Sequence, residues 1–112
     1  MKIRKGKLSD WKTLHKILNE TPELLGIQGQ ENYSRQWVED ALTNKERCIV
    51  LVIDDGRKIA AFAIMQLSPE LKTALLDDIF VGSEYRKKGL ATQLITACEK
   101  IAKKRGCKTI WD

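Results

Sequence analysis

The middle of the chain has the apolar pattern of strands, and the segments on either side have the pattern of helices. Residues 48–53, 59–67 and 73–81 are three apolar stretches, separated by the turn sequences Asp55-Gly56 and Ser68-Pro69-Glu70. Stretches of this length with such turns between them predict three consecutive strands, of which the first two form a hairpin. The return to a helical period on both sides predicts a fold that mixes helices and strands.

Helices and two further strands complete the order of elements. Residues 2–8 are predicted to form a first strand, and another strand begins at Lys108. Two amphipathic helices with caps at Ser9-Asp10 and Ser34 precede the central strands, and a third follows them and ends at Gly106. Their apolar faces consist of Trp11, Leu14, Ile17 and Leu18, of Trp37, Val38, Ala41 and Leu42, and of Leu90, Leu94, Ala97, Cys98 and Ile101. The order β-α-α-β-β-β-α-β predicts an α+β fold, with one β-α-β unit at its end, in a single domain over residues 1–112.

The composition argues against several classes of protein. The longest uncharged apolar run covers residues 59–67, which is far short of the ~20 residues that a membrane span requires. No apolar segment follows the charged N-terminus as it would in a signal peptide. The three cysteines show no paired spacing, and His15 is the single histidine, so neither a four-ligand zinc site nor a Ser-His-Asp triad is expected. We therefore expect a cytoplasmic protein that binds neither a membrane nor a metal.

Charge is distributed unevenly along the chain. Residues 86–112 hold eight basic and two acidic residues, whereas residues 17–85 hold six basic and twelve acidic residues. A basic C-terminal third suits an anionic ligand, either nucleic acid or a small phosphorylated molecule. The basic residues between positions 100 and 105 are also explained as the solvated last turn of a helix. Arg86-Lys87-Lys88 lies at the opposite end of that helix, where cations are unfavourable unless an anion is bound.

The strand-turn-helix over residues 75–92 has the features of a phosphate site. Its helix is predicted to open with Arg86-Lys87-Lys88-Gly89-Leu90-Ala91-Thr92. Amides in the first turn of a helix have no intrahelical acceptor and lie at the positive end of the helix dipole. Gly89 and Ala91 let a ligand approach that backbone closely. These features predict a phosphate or pyrophosphate site, although neither a P-loop nor a dinucleotide-binding motif is present.

The same residues resemble the motif of a known family. Arg86-Lys87-Lys88-Gly89-Leu90-Ala91, after a strand that ends with Ile79-Phe80-Val81, resembles motif A, [QR]-x-x-G-x-[GA], of the GNAT superfamily of acyl-CoA-dependent N-acetyltransferases. The order of elements is also similar, so the resemblance covers essentially the whole chain. It implies a mixed, mostly antiparallel sheet flanked by helices, here without the last helix and hairpin that usually follow the strand at Lys108.

The resemblance implies transfer of an acetyl group from acetyl-CoA to an amine by direct attack on the thioester. The pantetheine arm would lie along Ile79, Phe80 and Val81, with an amide near Ile79 stabilising the oxyanion. The acceptor pocket would lie around residues 26–34, which carry no signature of a particular amine, and in the C-terminal elements that usually follow in the family. The residues that would hold the pyrophosphate are Arg86, Lys87, Lys88, Gly89, Leu90, Ala91 and Thr92.

Asp77 and Asp78 are the candidate bases, because an ammonium must lose a proton before it attacks. In a regular strand they lie on opposite faces, and the sequence does not choose between them. Such a pair is also compatible with a structural role, in which it binds neighbouring amides or solvent. The two faces predicted for the strand are Leu75, Asp77, Ile79 and Val81, and Ala74, Leu76, Asp78 and Phe80. Tyr85 is expected to pack beneath the turn, and Tyr33 to border the acceptor site.

Two other functions are compatible with the sequence. A non-catalytic acyl-CoA-binding regulatory module would use the same site. A nucleic-acid-binding domain would use the basic charge, but no exposed aromatic residues are interleaved with it, so we expect no nucleic-acid partner. Because the strand at Lys108 would form an exposed sheet edge, we expect a homodimer in which a second copy covers that edge, with strand exchange as one route.

Overall fold

The computed structural model describes residues 1–21 and 33–111 of the chain. Within them, five strands and three helices follow one another as β1 (Lys2–Lys5), α1 (Trp11–Glu20), α2 (Arg35–Thr43), β2 (Cys48–Asp54), β3 (Ile59–Ser68), β4 (Thr73–Val81), α3 (Leu90–Lys104) and β5 (Thr109–Trp111). The strands form one sheet in the order β1-β2-β3-β4-β5. Neighbouring strands are antiparallel except β4 and β5, which are parallel. The predicted α+β fold with a mostly antiparallel sheet is confirmed.

Helices cover both faces of this sheet, and each face has its own apolar cluster. On the face covered by α1 and α2, which we call the α1–α2 face, the buried residues include Leu14, Leu18, Val38, Val52 and Phe62. On the opposite α3 face they include Ile53, Met65, Leu90, Leu94 and Cys98. Strands β2 and β3 supply side chains to both clusters, which is why their sequences are almost continuously apolar. None of the helices in the described ranges is long and apolar enough to cross a membrane.

The predicted helix caps are only partly correct. The hydroxyl of Ser34 accepts a hydrogen bond from the Trp37 amide at 3.0 Å, as expected at the start of α2. Before α1, by contrast, β1 ends at Lys5 and the chain forms a 3-10 turn over Leu8–Asp10. The Asp10 carboxylate accepts from the Lys7 amide at 2.7 Å and pairs with the Arg4 guanidinium at 2.9 Å, instead of capping α1. This ion pair ties the first strand to the first helix.

Strand β4 contains one residue more than its partner requires. Ile64 of β3 lies opposite Asp78, and the next residue, Met65, lies opposite Leu76. Asp77 is therefore the extra residue of a β-bulge. Because side chains in a strand alternate between faces, one extra residue exchanges the faces of every side chain that follows it.

The bulge overturns the predicted faces of β4. Ala74 and Leu76, before the bulge, pack in the α3 cluster together with Ile79 and Val81, which follow it. Phe80 packs in the α1–α2 cluster and stacks on Phe62 with 5.5 Å between the ring centroids. The expectation that Ile79 and Val81 lie on the face opposite Ala74 and Leu76 was wrong, because it assumed an unbroken alternation.

Candidate functional site

The chain between β4 and α3 forms a loop beside a surface cavity. After Gly82 a 3-10 turn covers Ser83–Tyr85, and α3 begins only at Leu90, so the helix starts four residues later than the sequence predicted. The cavity is lined by Val81, Tyr85, Arg86, Lys87, Gly89, Leu90 and Ala91. Two of the predicted phosphate-binding residues, Lys88 and Thr92, are next to these residues in the chain but do not line the cavity.

The backbone of this loop takes a left-handed conformation at two positions. Lys87 has a φ of 66° and Gly89 a φ of 76°, a region that glycine enters without steric cost. Gly89 is the N-cap of α3 and has no side chain to cap it, and Gln93 donates to its carbonyl at 3.1 Å. The amides of Leu90, Ala91 and Thr92 come before this first helical bond and have no intrahelical acceptor. Three amides at the positive end of a 15-residue helix are a site for an anion.

Three cations precede this helix end. Arg86, Lys87 and Lys88 are exposed, and Arg86 Nε donates to the Val81 carbonyl at 3.4 Å. In the described part of the chain, none of the three belongs to an ion pair. Their charge is therefore available to a ligand that binds beside the free amides.

Tyr85 anchors the loop to the turn between β2 and β3. Its hydroxyl donates a hydrogen bond to the carboxylate of Asp55, while its ring packs against the α3 cluster as expected. Asp55 also accepts from the amides of Arg57 and Lys58, each at 2.8 Å, so the turn is longer than the two residues predicted. The Tyr85 hydroxyl and these two amides hold the pKa of Asp55 well below its usual range. The sequence identified Asp55 only as a turn residue and gave no signal of this contact.

One edge of β4 is open beside the loop. Strand β5 pairs with β4 only over Thr73–Leu75 in the described sheet. Gly82 donates to the Ala60 carbonyl at 2.8 Å, and hydrogen-bonded pairs alternate with non-bonded pairs in an antiparallel ladder. The peptide groups of Ile79 and Val81 therefore point away from β3, toward the open edge. An extended ligand can pair with them as an added strand would.

Asp78 is the buried acid of this site. Its side chain, on the α1–α2 side of β4, is only 5% exposed, and its Oδ1 accepts a hydrogen bond from the Tyr33 hydroxyl at 2.7 Å. Oδ2 is buried and has no partner within the described part of the chain. Burial raises the pKa of Asp78 to about 6, and the negative charge of Asp77 adds to that rise, whereas the Tyr33 hydrogen bond opposes it. A carboxyl in such a place can accept a proton near neutral pH.

Asp77 lies in a different environment although it is the adjacent residue. It is exposed, and its carboxylate accepts from Gln66 Nε2 at 3.0 Å. The bulge thus leaves one acid of the pair in solvent and the other buried. Residues 1–21 and 33–111 contain no group of three or more histidine, cysteine, aspartate or glutamate residues that could hold a metal ion.

Comparison with known proteins identifies the family. The profile of the acetyltransferase (GNAT) family matches residues 11–112. The chain belongs to the GNAT acetyltransferase family. The resemblance based on residues 86–91 and on the order of elements is thereby confirmed. No curated protein matches this GNAT chain in sequence.

Solved structures with the same fold support the assignment. A protein from Staphylococcus aureus described as a GNAT family acetyltransferase is 24% identical, with a TM-score of 0.79, and the match covers 98% of each chain. The PaiA N-acetyltransferase from Thermoplasma acidophilum, solved with coenzyme A, is 22% identical with a TM-score of 0.79 over 95% of this chain and 74% of that one. A ribosomal-protein-alanine N-acetyltransferase from Brucella melitensis is 19% identical with a TM-score of 0.71 over 99% of this chain and 78% of that one.

The predicted acceptor region is described only in part. Residues 22–32, which make up most of the loop around residues 26–34, lie outside the described residues. Tyr33 and Ser34 lie within them, and Tyr33 contacts Asp78 as reported above. Tyr33 was predicted to border the acceptor site and Asp78 to be one of two candidate bases. Nothing in the sequence indicated that these two residues are in contact.

Proposed function

We propose that this protein transfers the acetyl group of acetyl-CoA to a primary amine, which attacks the thioester directly. Membership of the GNAT acetyltransferases supports acyl transfer in general. The observation that carries the proposal of an amine acceptor is Asp78, a buried carboxyl next to the open edge of β4, with one oxygen that has no partner among the described residues. A buried acceptor without a donor is costly, and a role in receiving the proton of an ammonium accounts for such a group at this position.

The donor would bind along the open edge of β4 and the start of α3. The pyrophosphate would lie on the amides of Leu90, Ala91 and Thr92, at the positive end of the helix, beside the three cations of the loop. The pantetheine arm would pair with the outward peptide groups of Ile79 and Val81, and Phe80 would contribute only backbone because its side chain is on the other face. The Ile79 amide would stabilise the oxyanion, a contribution of about 3–4 kcal/mol to the barrier where such donors have been removed.

The chemistry follows from this arrangement. Asp78, ionised at neutral pH because its pKa is about 6, takes a proton from the acceptor ammonium through one water or after a small rearrangement. The amine then attacks the thioester carbon, so that a C–N bond forms and the C–S bond breaks; the nitrogen loses its extra proton, and the leaving coenzyme A thiolate takes up one proton to become the thiol. Asp77 does not take part as the base, since its carboxylate is in solvent and bound to Gln66.

One observation favours a second candidate, the acyl-CoA-binding regulatory module without turnover. Oδ2 of Asp78 is buried, so a proton must reach it through a water or a small rearrangement. A module that only binds acyl-CoA would use the start of α3 and the β4 edge, and it would need no route for a proton to Oδ2.

Acetylation of a panel of primary amines tests the proposed function. The panel contains a polyamine, an amino-acid ester and a peptide with a free N-terminus, and mass spectrometry detects the acetylated amine, because the free cysteines of the protein would interfere with thiol reagents. We expect a product with at least one amine that depends on acetyl-CoA. Binding of acetyl-CoA in calorimetry without any product would favour the regulatory module, and absence of binding would refute both.

We also propose a homodimer formed through the β5 edge. Leu71, Leu75 and Trp111 are 74%, 46% and 59% exposed, and Trp111 lies opposite Leu75 in the β4–β5 ladder. Exposed apolar side chains on a sheet edge favour pairing with another chain. We expect a dimer by light scattering and a monomer for Trp111→Arg. Ile3→Arg, on the opposite edge strand β1, is the matched control and should remain dimeric; a monomeric wild-type protein would contradict the proposal.

A further inference from the structure

Tyr33 holds one oxygen of Asp78 and is itself held from two sides. Its hydroxyl donates to Asp78 Oδ1 at 2.7 Å. Its ring packs in an edge-to-face arrangement with Trp37 of α2, with 4.9 Å between the ring centroids. The phenol therefore reaches across from the start of α2 to β4 in a fixed direction.

Asn19 of α1 fixes the backbone of the same residue. Asn19 Nδ2 donates to the Tyr33 carbonyl at 2.8 Å, and the Tyr33 amide donates to Asn19 Oδ1 at 3.3 Å. Asn19 Nδ2 also donates to the His15 carbonyl at 3.0 Å, which anchors the amide group on its own helix. A chain of hydrogen bonds thus runs from α1 through Tyr33 to the carboxyl of Asp78.

We propose that Tyr33 is a positioning residue for acetyl transfer: its hydroxyl occupies Oδ1 of Asp78 and fixes the carboxyl so that Oδ2 remains the free acceptor for the proton of the amine. This role rests on the proposed function. In this role the two oxygens of Asp78 differ: Oδ1 is held by Tyr33, and Oδ2 accepts the proton. It also explains why only one oxygen of a buried carboxyl has a partner within the described residues.

The hydrogen bond also extends the pH range in which Asp78 can act as a base. A donor to the ionised carboxylate lowers the pKa that burial has raised, and among the described residues the titratable groups that affect Asp78 are Tyr33 and Asp77. Its partner on β3, Ile64, is apolar. Burial and the contact with Asp78 raise the pKa of Tyr33, so the phenol stays a neutral donor throughout the working range.

Tyr33→Phe tests this role, because it removes the hydroxyl and keeps the ring that packs on Trp37. We expect the pKa of Asp78 to rise by about one unit, the effect of losing one hydrogen bond to a charged group. The acid limb of kcat/KM should move by the same amount, giving about a tenfold loss at pH 5 and less than a twofold loss at pH 8.5. The KM for acetyl-CoA should not change. The titration is followed by carbon NMR of the Asp78 carboxyl, assigned with Asp78→Asn.

Tyr85→Phe is the matched control, since it removes the same hydroxyl from the other tyrosine–aspartate pair and should leave the Asp78 titration in place. Asn19→Ala, which keeps the phenol but frees its backbone, should shift the titration in the same direction by less. If Tyr33→Phe and Asn19→Ala move neither the titration nor the acid limb, the role is wrong. A moved titration with an unmoved acid limb also overturns it. Failure of the proposed function is seen separately, as a wild-type protein that acetylates no amine.

Discussion

Asp78→Asn is expected to lower kcat for amine acetylation by about 10²–10⁴-fold, the usual contribution of a positioned general base. The amide has nearly the same shape as the carboxyl and keeps an oxygen for the Tyr33 hydroxyl, so the protein should remain folded. Binding of acetyl-CoA, measured by calorimetry, should not change, because the donor site is at the start of α3 and along the β4 edge. A variant that retains more than about a third of the wild-type kcat would contradict the assignment of the base.

The pH profile provides a second measurement of the same group. Because the pKa of Asp78 is about 6, wild-type kcat/KM should fall tenfold per pH unit below that value as the carboxyl becomes protonated. Asp77→Asn distinguishes the two neighbouring acids: removal of its charge lowers the pKa of Asp78, so the acid limb should move to lower pH. If Asp77 were the base, Asp77→Asn would abolish turnover instead.

Stability should depend on pH through Asp78 with a definite sign. The folded pKa, about 6, is above the ordinary value of 3.8, so the folded state favours the protonated form. The stability of the wild type relative to Asp78→Asn is therefore greatest below about pH 4 and decreases as pH rises to about 6. The total decrease is up to about 3 kcal/mol. Urea denaturation of both proteins at pH 4 and pH 7 measures it, and an unchanged difference would argue against a buried ionised carboxyl.

Thr92→Glu is expected to weaken acetyl-CoA binding at least tenfold, or by about 1.4 kcal/mol or more. Thr92 is the third residue of α3, and a glutamate at this position folds back onto the amide of the N-cap residue, here Gly89. Its carboxylate would then lie beside the amides of Leu90, Ala91 and Thr92 that are proposed to hold the pyrophosphate, and would repel it. An acid in the first turn stabilises a helix, so a loss of binding could not be attributed to unfolding.

Thr96→Glu is the control for this substitution. It makes the same change of residue one turn later on an exposed position of α3, where the helix dipole no longer has much effect. We expect its Kd for acetyl-CoA, measured by calorimetry in the same buffer, to lie within twofold of the wild type. Equal losses in both variants would indicate a general effect of charge and would argue against a pyrophosphate site at the helix terminus.

The sequence predicted the order of elements because the helices have a clear apolar period and the central strands are apolar stretches separated by turn residues. The helical spacing of Leu14 and Leu18 and of Leu90 and Leu94 placed these residues on buried faces, and the structure confirms all four as buried. The small residues and cations around Gly89 predicted the loop that lines the cavity. The helix, however, begins at Leu90 and not at Arg86 as the sequence suggested. These features depend on local propensity, which a single sequence contains.

The details that decide the chemistry depend on contacts between distant residues. The bulge at Asp77 results from the pairing of β4 with β3, and no local signal distinguishes a bulge from regular alternation. Our proposal of Asp78 and not Asp77 as the base then rests on the burial of Asp78 beneath Tyr33, 45 residues earlier in the chain. The contact of Asp55 with Tyr85 likewise joins two turns 30 residues apart.

The extra residue in β4 also has a kinetic consequence. Because it leaves Asp78 on the α1–α2 face, the amine would reach the thioester carbon from that face while the acyl donor lies along the open edge of β4. Neither would have to leave before the other enters, so both are held together at the moment of transfer. Free coenzyme A should consequently compete with the acyl donor and not with the amine.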